Sequence, residues 1–166
     1  GKVGMAFSQT DKRVTAFGGK QPFFGTNPLC IGAPSAGGPP VMLDMATSLV
    51  AWGHIVKAQG LNKPVPEEWG VAEDGEKTTD PHAMTWLAPA AGPKGYGLGA
   101  IVDIMTGLLC GGAFGPHVVT MYGDYEQKRK LCHMVVAIDY KRFAGADGFL
   151  AQMTQMVNEI HQVTPA

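Results

Sequence analysis

Between Leu98 and Ala113 the sequence reads LGAIVDIMTGLLCGGA, directly behind the Gly/Pro-rich segment APAAGPKGYG (residues 88–97). A helix over residues 94–110 sets Leu98, Ile101, Val102, Met105, Leu108 and Leu109 on one broad face. That face is too wide for a helix lying on a surface, so a largely buried helix is expected, and with it a second layer to bury it. Asp103, Thr106 and four glycines interrupt the run, which stays short of the roughly 20 apolar residues a bilayer span needs. No membrane segment is expected.

Extended segments supply the second layer. VGMAFSQ (3–9) alternates as a strand does, LCIGAP (29–34) follows the Gly/Pro loop FGGKQPFFGTNP, and VMLDMA (41–46) is almost wholly apolar. Apolar runs of this kind mark central strands, and LCHMVVAID (131–139) is read the same way. From Thr47 the spacing of Leu49, Val50, Trp52, Ile55 and Val56 turns helical. Thr47 or Ser48 is the expected cap and Gly60 the expected stop. Asp74-Gly75 marks a hairpin turn, residues 114–130 a polar loop, and 147–162 a closing amphipathic helix with Phe149, Leu150, Met153, Met156, Val157 and Ile160 on one stripe. The expected class is α/β with a mixed β-sheet and packed helices, in one domain over residues 1–166.

Composition narrows the function classes. Charged residues are 16% of the chain and the formal net charge is −1, so nothing draws it electrostatically to nucleic acid or to an acidic membrane. Cys30, Cys110 and Cys132 are odd in number and widely spaced, against a disulfide framework or a zinc site. Their apolar neighbours imply core thiols, and a cytoplasmic setting fits them. The five histidines show no paired metal spacing; His133 is expected in the core and His54 on a helix face. No metal is expected.

Three residues carry possible chemistry. Lys94 stands among glycines at a helix start, where free backbone N–H groups and an ammonium suit an anion such as a diphosphate. The segment is neither a P-loop nor a Rossmann fingerprint, and loop punctuation is the plainer reading. Asp44 interrupts an apolar strand; it either caps the following helix or meets a ligand at the strand's carboxyl end. Arg129, in EQKRKL, lies on a solvated face or grips a carboxylate through its planar fork.

The segments GTNPLCIGAP, VMLDMATS, AWG, TTDP, AAGPKGYGL and FG…MY.D, in this order and spacing, resemble the type 2 malate/L-lactate dehydrogenase family. GPKGYGL, MYGD, Arg129 and the closing NEIHQVTPA are most similar to its ureidoglycolate-oxidising branch. The resemblance implies a non-Rossmann NAD(P)-binding fold, a cytoplasmic homodimer, and hydride transfer between nicotinamide and a 2-hydroxy acid. Ureidoglycolate is the favoured substrate, malate or lactate the rivals, and NAD is favoured over NADP. It implies cofactor contacts at Thr10, at the Asp44-Met45-Ala46 turn and at Lys94. Arg129 is implied to hold the substrate carboxylate, and Asp11 to lie near the catalytic histidine. The family's proton-exchanging histidine is expected N-terminal to Gly1, and a C-terminal segment of the nucleotide site beyond Ala166. The chain is therefore expected to be the cofactor-binding part of a longer enzyme, or else a non-catalytic domain kept for dimerisation or ligand binding.

Overall fold

The computed structural model describes residues 1–122, 125–143 and 145–164. In chain order the strands and helices are β1 (Val3–Ser8), β2 (Val14–Thr15), β3 (Pro22–Phe24), β4 (Leu29–Ala33), β5 (Val41–Met45), α1 (Trp52–Leu61), β6 (Gly70–Val71), β7 (Trp86–Leu87), α2 (Pro93–Thr106), β8 (His133–Ile138) and α3 (Ala146–Gln162). They form two compact units. One comprises Gly1–Ala6, Cys30–Asp44 and the described part of 135–166; the other comprises Phe7–Leu29 and Met45–Met134.

The first unit is built on a four-stranded sheet of order β5-β4-β1-β8 and carries α3. Both strands expected at its centre lie at its edges. Val41, Met42 and Leu43 of β5 are exposed, and in β8 exposure alternates, with Val135 79% exposed and Val136 half-buried. An apolar run reports a preference for burial and does not say which neighbour supplies it. The buried Tyr140 stacks on Phe149 of α3 at 4.5 Å between ring centroids, fixing the first turn of that helix's apolar stripe.

The second unit holds a sheet of order β3-β2-β7-β6 in which β2 runs antiparallel to β3 and parallel to β7. This mixed pairing is the expected one. Val14, Ile55, Val65, Met84 and Leu87 make its core, with Val50, Trp52, Ala58 and Trp69 packed around them. The Asp74-Gly75 turn forms as expected: Gly75 has φ +83°, Ala72 N–H donates to Glu76 O at 2.8 Å, and Val71 bridges Lys77.

Helix α1 starts later than expected because its expected caps are engaged elsewhere. Thr47 Oγ1 donates to Thr26 O at 3.0 Å and Ser48 Oγ to Val50 O at 2.7 Å, so the helix begins behind Ala51 with no side-chain cap. It stops at Asn62 (φ 47°) rather than at Gly60, with Asn62 N–H donating to Gln59 O and Lys63 N–H to Ala58 O.

Of the apolar face expected in helix α2, only Val102 is buried, and small and polar residues fill the rest of the inner face. Gly95, Gly99, Val102, Asp103 and Thr106 face inward, while Leu98, Ile101 and Ile104 are exposed. The glycines explain it. A Cβ on Gly95 would stand 2.2 Å from Ala90 O and 2.8 Å from Thr47 O, so the backbone of α2 sits closer to its neighbours than any side chain permits. The cysteines depart from expectation too: Cys30 and Cys132 are half-buried and Cys110 is exposed. Local apolar sequence did not translate into depth.

Candidate active site

Three of the residues singled out in the sequence meet in one cleft of the second unit. Thr10, Asp11 and Arg129 line a cavity of about 270 Å³ together with Arg13, Trp52 and Tyr122. Asp11, 8% exposed, lies between two arginines. Its Oδ1 accepts from Arg129 Nη2 at 2.9 Å, and its Oδ2 is 3.7 Å from Arg13 Nη2. Arg129 Nε also donates to Val119 O at 3.3 Å. The guanidinium carbon of Arg13 sits 4.4 Å above the ring of Trp52, a cation–π contact that restrains the fork. One carboxylate and two guanidiniums leave the cleft with a formal charge of +1, the sign that suits a carboxylate ligand.

The chain geometry that aims these groups is rigid. Asp11 lies in a bend just ahead of β2, which brings its carboxylate toward the guanidinium of Arg13. Arg13 N–H donates to Phe24 O and Arg13 O accepts from Leu87 N–H, both at 2.8 Å, which pins it between β3 and β7. Behind Thr10 runs a buried polar network. Asn27 Oδ1 accepts from Thr10 N–H at 3.0 Å, while its Nδ2 donates to Gly99 O at 2.9 Å and faces Asp103 Oδ1 at 3.4 Å. Asp103 Oδ2 accepts from Gly115 N–H at 2.7 Å. Burial pushes the Asp103 carboxyl above the ordinary aspartate range, and the bonds from Gly115 and Asn27 only partly offset it. Arg13, Trp52 and the Asn27–Asp103 pair were not picked out in the sequence. The opposite charges of Asp11 and Arg13, two residues apart just ahead of β2, were the available signal for the first of them.

The remaining residues lie elsewhere. Lys94 is exposed on the first turn of α2 and has no carboxylate partner among the described residues. The free backbone donors expected around it are largely absent. Pro93 has none, Gly95 N–H donates to Ala90 O at 2.8 Å and Tyr96 N–H to Gly92 O at 3.2 Å. What this turn exposes is an ammonium, not a ring of amides. Met45 and Ala46 lead into Thr47, whose carbonyl accepts from Ala90 N–H at 2.9 Å and sits against Gly95. That ties the turn after β5 to the segment bearing Lys94. Beside the same segment, Ala16–Gly19, Leu49 and Ala88–Gly92 bound a second cleft, of about 480 Å³. Glu68 and Lys77 also line this cleft, and Lys94, further along the chain, does not.

Asp44 is exposed near the carboxyl end of β5 and caps no helix. His133, expected in the core, is exposed and shares a 2.8 Å hydrogen bond with Ser8 Oγ through Nδ1; a one-faced edge strand leaves it outside. No histidine lines the Asp11 cleft. Gly123 and Asp124 of the MYGD motif and Pro165 and Ala166 of the closing motif lie outside the described residues. Among the described residues no three His, Cys, Asp or Glu side chains group to hold a metal ion, and no helix is long and apolar enough to cross a membrane.

A model of the malate/L-lactate dehydrogenase family matches residues 1–166, the whole chain. The chain belongs to that family. Ureidoglycolate dehydrogenase (NAD(+)) of Escherichia coli O157:H7 is 40% identical over 166 residues, covering all of this chain and 48% of that protein. A (2R)-3-sulfolactate dehydrogenase (NADP(+)) of Chromohalobacter salexigens is 34% identical over 152 residues, 90% of this chain and 45% of the relative. Among solved structures, sulfolactate dehydrogenase from Methanocaldococcus jannaschii superposes with a TM-score of 0.88 at 30% identity, covering 99% of this chain and 48% of the other. This chain thus spans about half the length of the family members it matches. The two sheets and packed helices are those of the family's dehydrogenases.

Proposed function

We propose that this chain supplies the cofactor-binding and carboxylate-binding part of an NAD(P)-dependent 2-hydroxyacid dehydrogenase, with ureidoglycolate as the favoured substrate. The observation that carries this reading is the meeting of Asp11, Arg13 and Arg129 in one small, net-positive cleft of a chain that matches the dehydrogenase family throughout. Arg129 holds the substrate carboxylate. Asp11 holds Arg129 in place, and Thr10, fixed by Asn27, closes the same wall.

Lys94 would hold the dinucleotide through its ammonium, which neutralises phosphate charge, with Met45 and Ala46 of the same unit as further cofactor contacts. When bound, nicotinamide supplies the hydride chemistry. The apolar wall of the Asp11 cleft, Trp52 with Met121 and Leu131, displaces water from the reacting carbonyl. A group that exchanges the hydroxyl proton is also required. As no histidine lines the cleft, our reading assigns that role to a residue outside this chain. NAD is favoured because the relative with the higher identity is named for it, while the sulfolactate relative is named for NADP. A cytoplasmic homodimer completes the reading; Leu98, Ile101 and Leu109 are apolar surface that a second subunit would cover.

The test is to follow NADH oxidation with 2-oxo acids and NAD reduction with ureidoglycolate, malate and lactate, beside direct titration of NADH. Turnover highest on ureidoglycolate supports the reading in full, and turnover on malate or lactate replaces the substrate. NADH binding without turnover leaves a binding domain. No binding of NADH or of carboxylates refutes it.

A further inference from the structure

Arg129 is the arginine that the sequence nominates, yet much of its fork is already engaged. Nε donates to Val119 O and Nη2 to Asp11 Oδ1, so the edge that makes a side-on bidentate grip is taken by the protein. What remains to a ligand is the Nη1 end. Arg13 is the reverse case. Its only described polar partner is Asp11 at 3.7 Å, beyond hydrogen-bonding distance, and its donors are otherwise uncommitted among the described residues. Its guanidinium is restrained by Trp52 and its backbone by β3 and β7, so little freedom is lost when a ligand binds.

The charges say what kind of group Arg13 meets. Asp11 offsets one of the two guanidiniums, leaving one net positive charge for the ligand. A single substrate carboxylate cancels it. A second ligand charge would crowd Asp11, whereas an uncharged carbonyl oxygen accepts from a guanidinium without that repulsion. We propose that Arg13 is a specificity-determining residue that reads an uncharged carbonyl acceptor, of an amide or urea group, on a substrate whose carboxylate is held by Arg129. This rests on the carboxylate-binding reading above and names its substrate class: a monoanionic 2-hydroxy acid with a second, neutral carbonyl, in preference to a dianion.

Isothermal titration of the protein with three probes tests it: N-carbamoylglycine (carboxylate plus urea), glycolate (carboxylate alone) and succinate (dianion). The wild type should bind N-carbamoylglycine about tenfold more tightly than glycolate, the yield of one charge-assisted hydrogen bond, and more tightly than succinate. Arg13→Lys, which keeps charge and stem, and Arg13→Met should both bring the N-carbamoylglycine to glycolate ratio close to one. Arg129→Met should weaken both probes together. Far-ultraviolet circular dichroism of each variant checks folding, and Arg13→Lys carries the test if Arg13→Met does not fold. A ratio that survives in Arg13→Lys, a wild type that prefers succinate, or no binding of any probe overturns the assignment. Unchanged affinities in Arg129→Met refute the carboxylate role of Arg129, whatever the Arg13 ratio shows.

Discussion

Replacing Asp11 by alanine leaves two guanidiniums facing each other in a cleft of about 270 Å³ with no counter-charge. At an effective dielectric of about 20, the two attractions at 2.9 and 3.7 Å amount to about 6 and about 4.5 kcal/mol. Most of that is offset by the cost of desolvating the ions. Breaking a fully buried pair from one side costs about 3–5 kcal/mol. The arginine side chains here retain 27% and 19% exposure, so about 2–3 kcal/mol is the expected loss. For a chain of this size each kcal/mol moves the melting temperature by about 2–4 °C, giving a fall of about 5–10 °C. The variant should then respond to anions more strongly than the wild type, because glycolate supplies the missing charge and salt screens the repulsion. Differential scanning fluorimetry over glycolate and sodium chloride series measures both effects. A melting temperature within 1 °C of wild type (about 0.3–0.5 kcal/mol), or equal glycolate shifts in the two proteins, would show that Asp11 does not organise the arginines.

Three further outcomes are expected. Lys94→Ala should weaken NADH about tenfold, as loss of one charged phosphate contact does, with an unchanged circular dichroism spectrum; unaltered affinity in a titration removes Lys94 from the cofactor site. Gly95→Ala should cost at least about 3 kcal/mol, since the added carbon meets backbone rather than a yielding side chain, and urea unfolding close to wild type would refute that packing. The raised Asp103 carboxyl has a definite sign: between the ordinary aspartate value of 3.8 and its folded value the native state binds the extra proton, so stability is greatest below that window and is lost as pH rises through it. The unfolding free energy of wild type minus that of Asp103→Asn should therefore fall as pH climbs from about 3.5 toward neutrality, and a difference independent of pH would refute it.

Much of the fold was legible because its signals are local. Strands β1, β4, β5 and β8, the Asp74-Gly75 turn and helix α3 follow from alternation, turn residues and a 3.6-residue stripe, which need no partner to be read. The Thr47 cap failed for a reason that no local pattern contains, since its hydroxyl is taken by Thr26 O, 21 residues away, whereas Ser48 turned to Val50 O only two residues on. In the cleft, Asp11 and Arg129 were named from separate motifs, but nothing in the chain order says that residues 118 positions apart share a 2.9 Å bond. Arg13 escaped notice because a lone arginine carries no motif, and Trp52, quoted in AWG and on the face of α1, gave no sign of the arginine it meets.

The sequence by itself determined the α/β class, the mixed pairing, the family and the kind of chemistry to look for, since periodicity and ordered motifs are properties of the chain. Tertiary structure alone decided which face of α2 is buried, which strands lie at the edges, and which arginine keeps its donors free. Those outcomes depend on how closely two backbones approach and on which donors are already satisfied, quantities that exist only once distant residues are in contact.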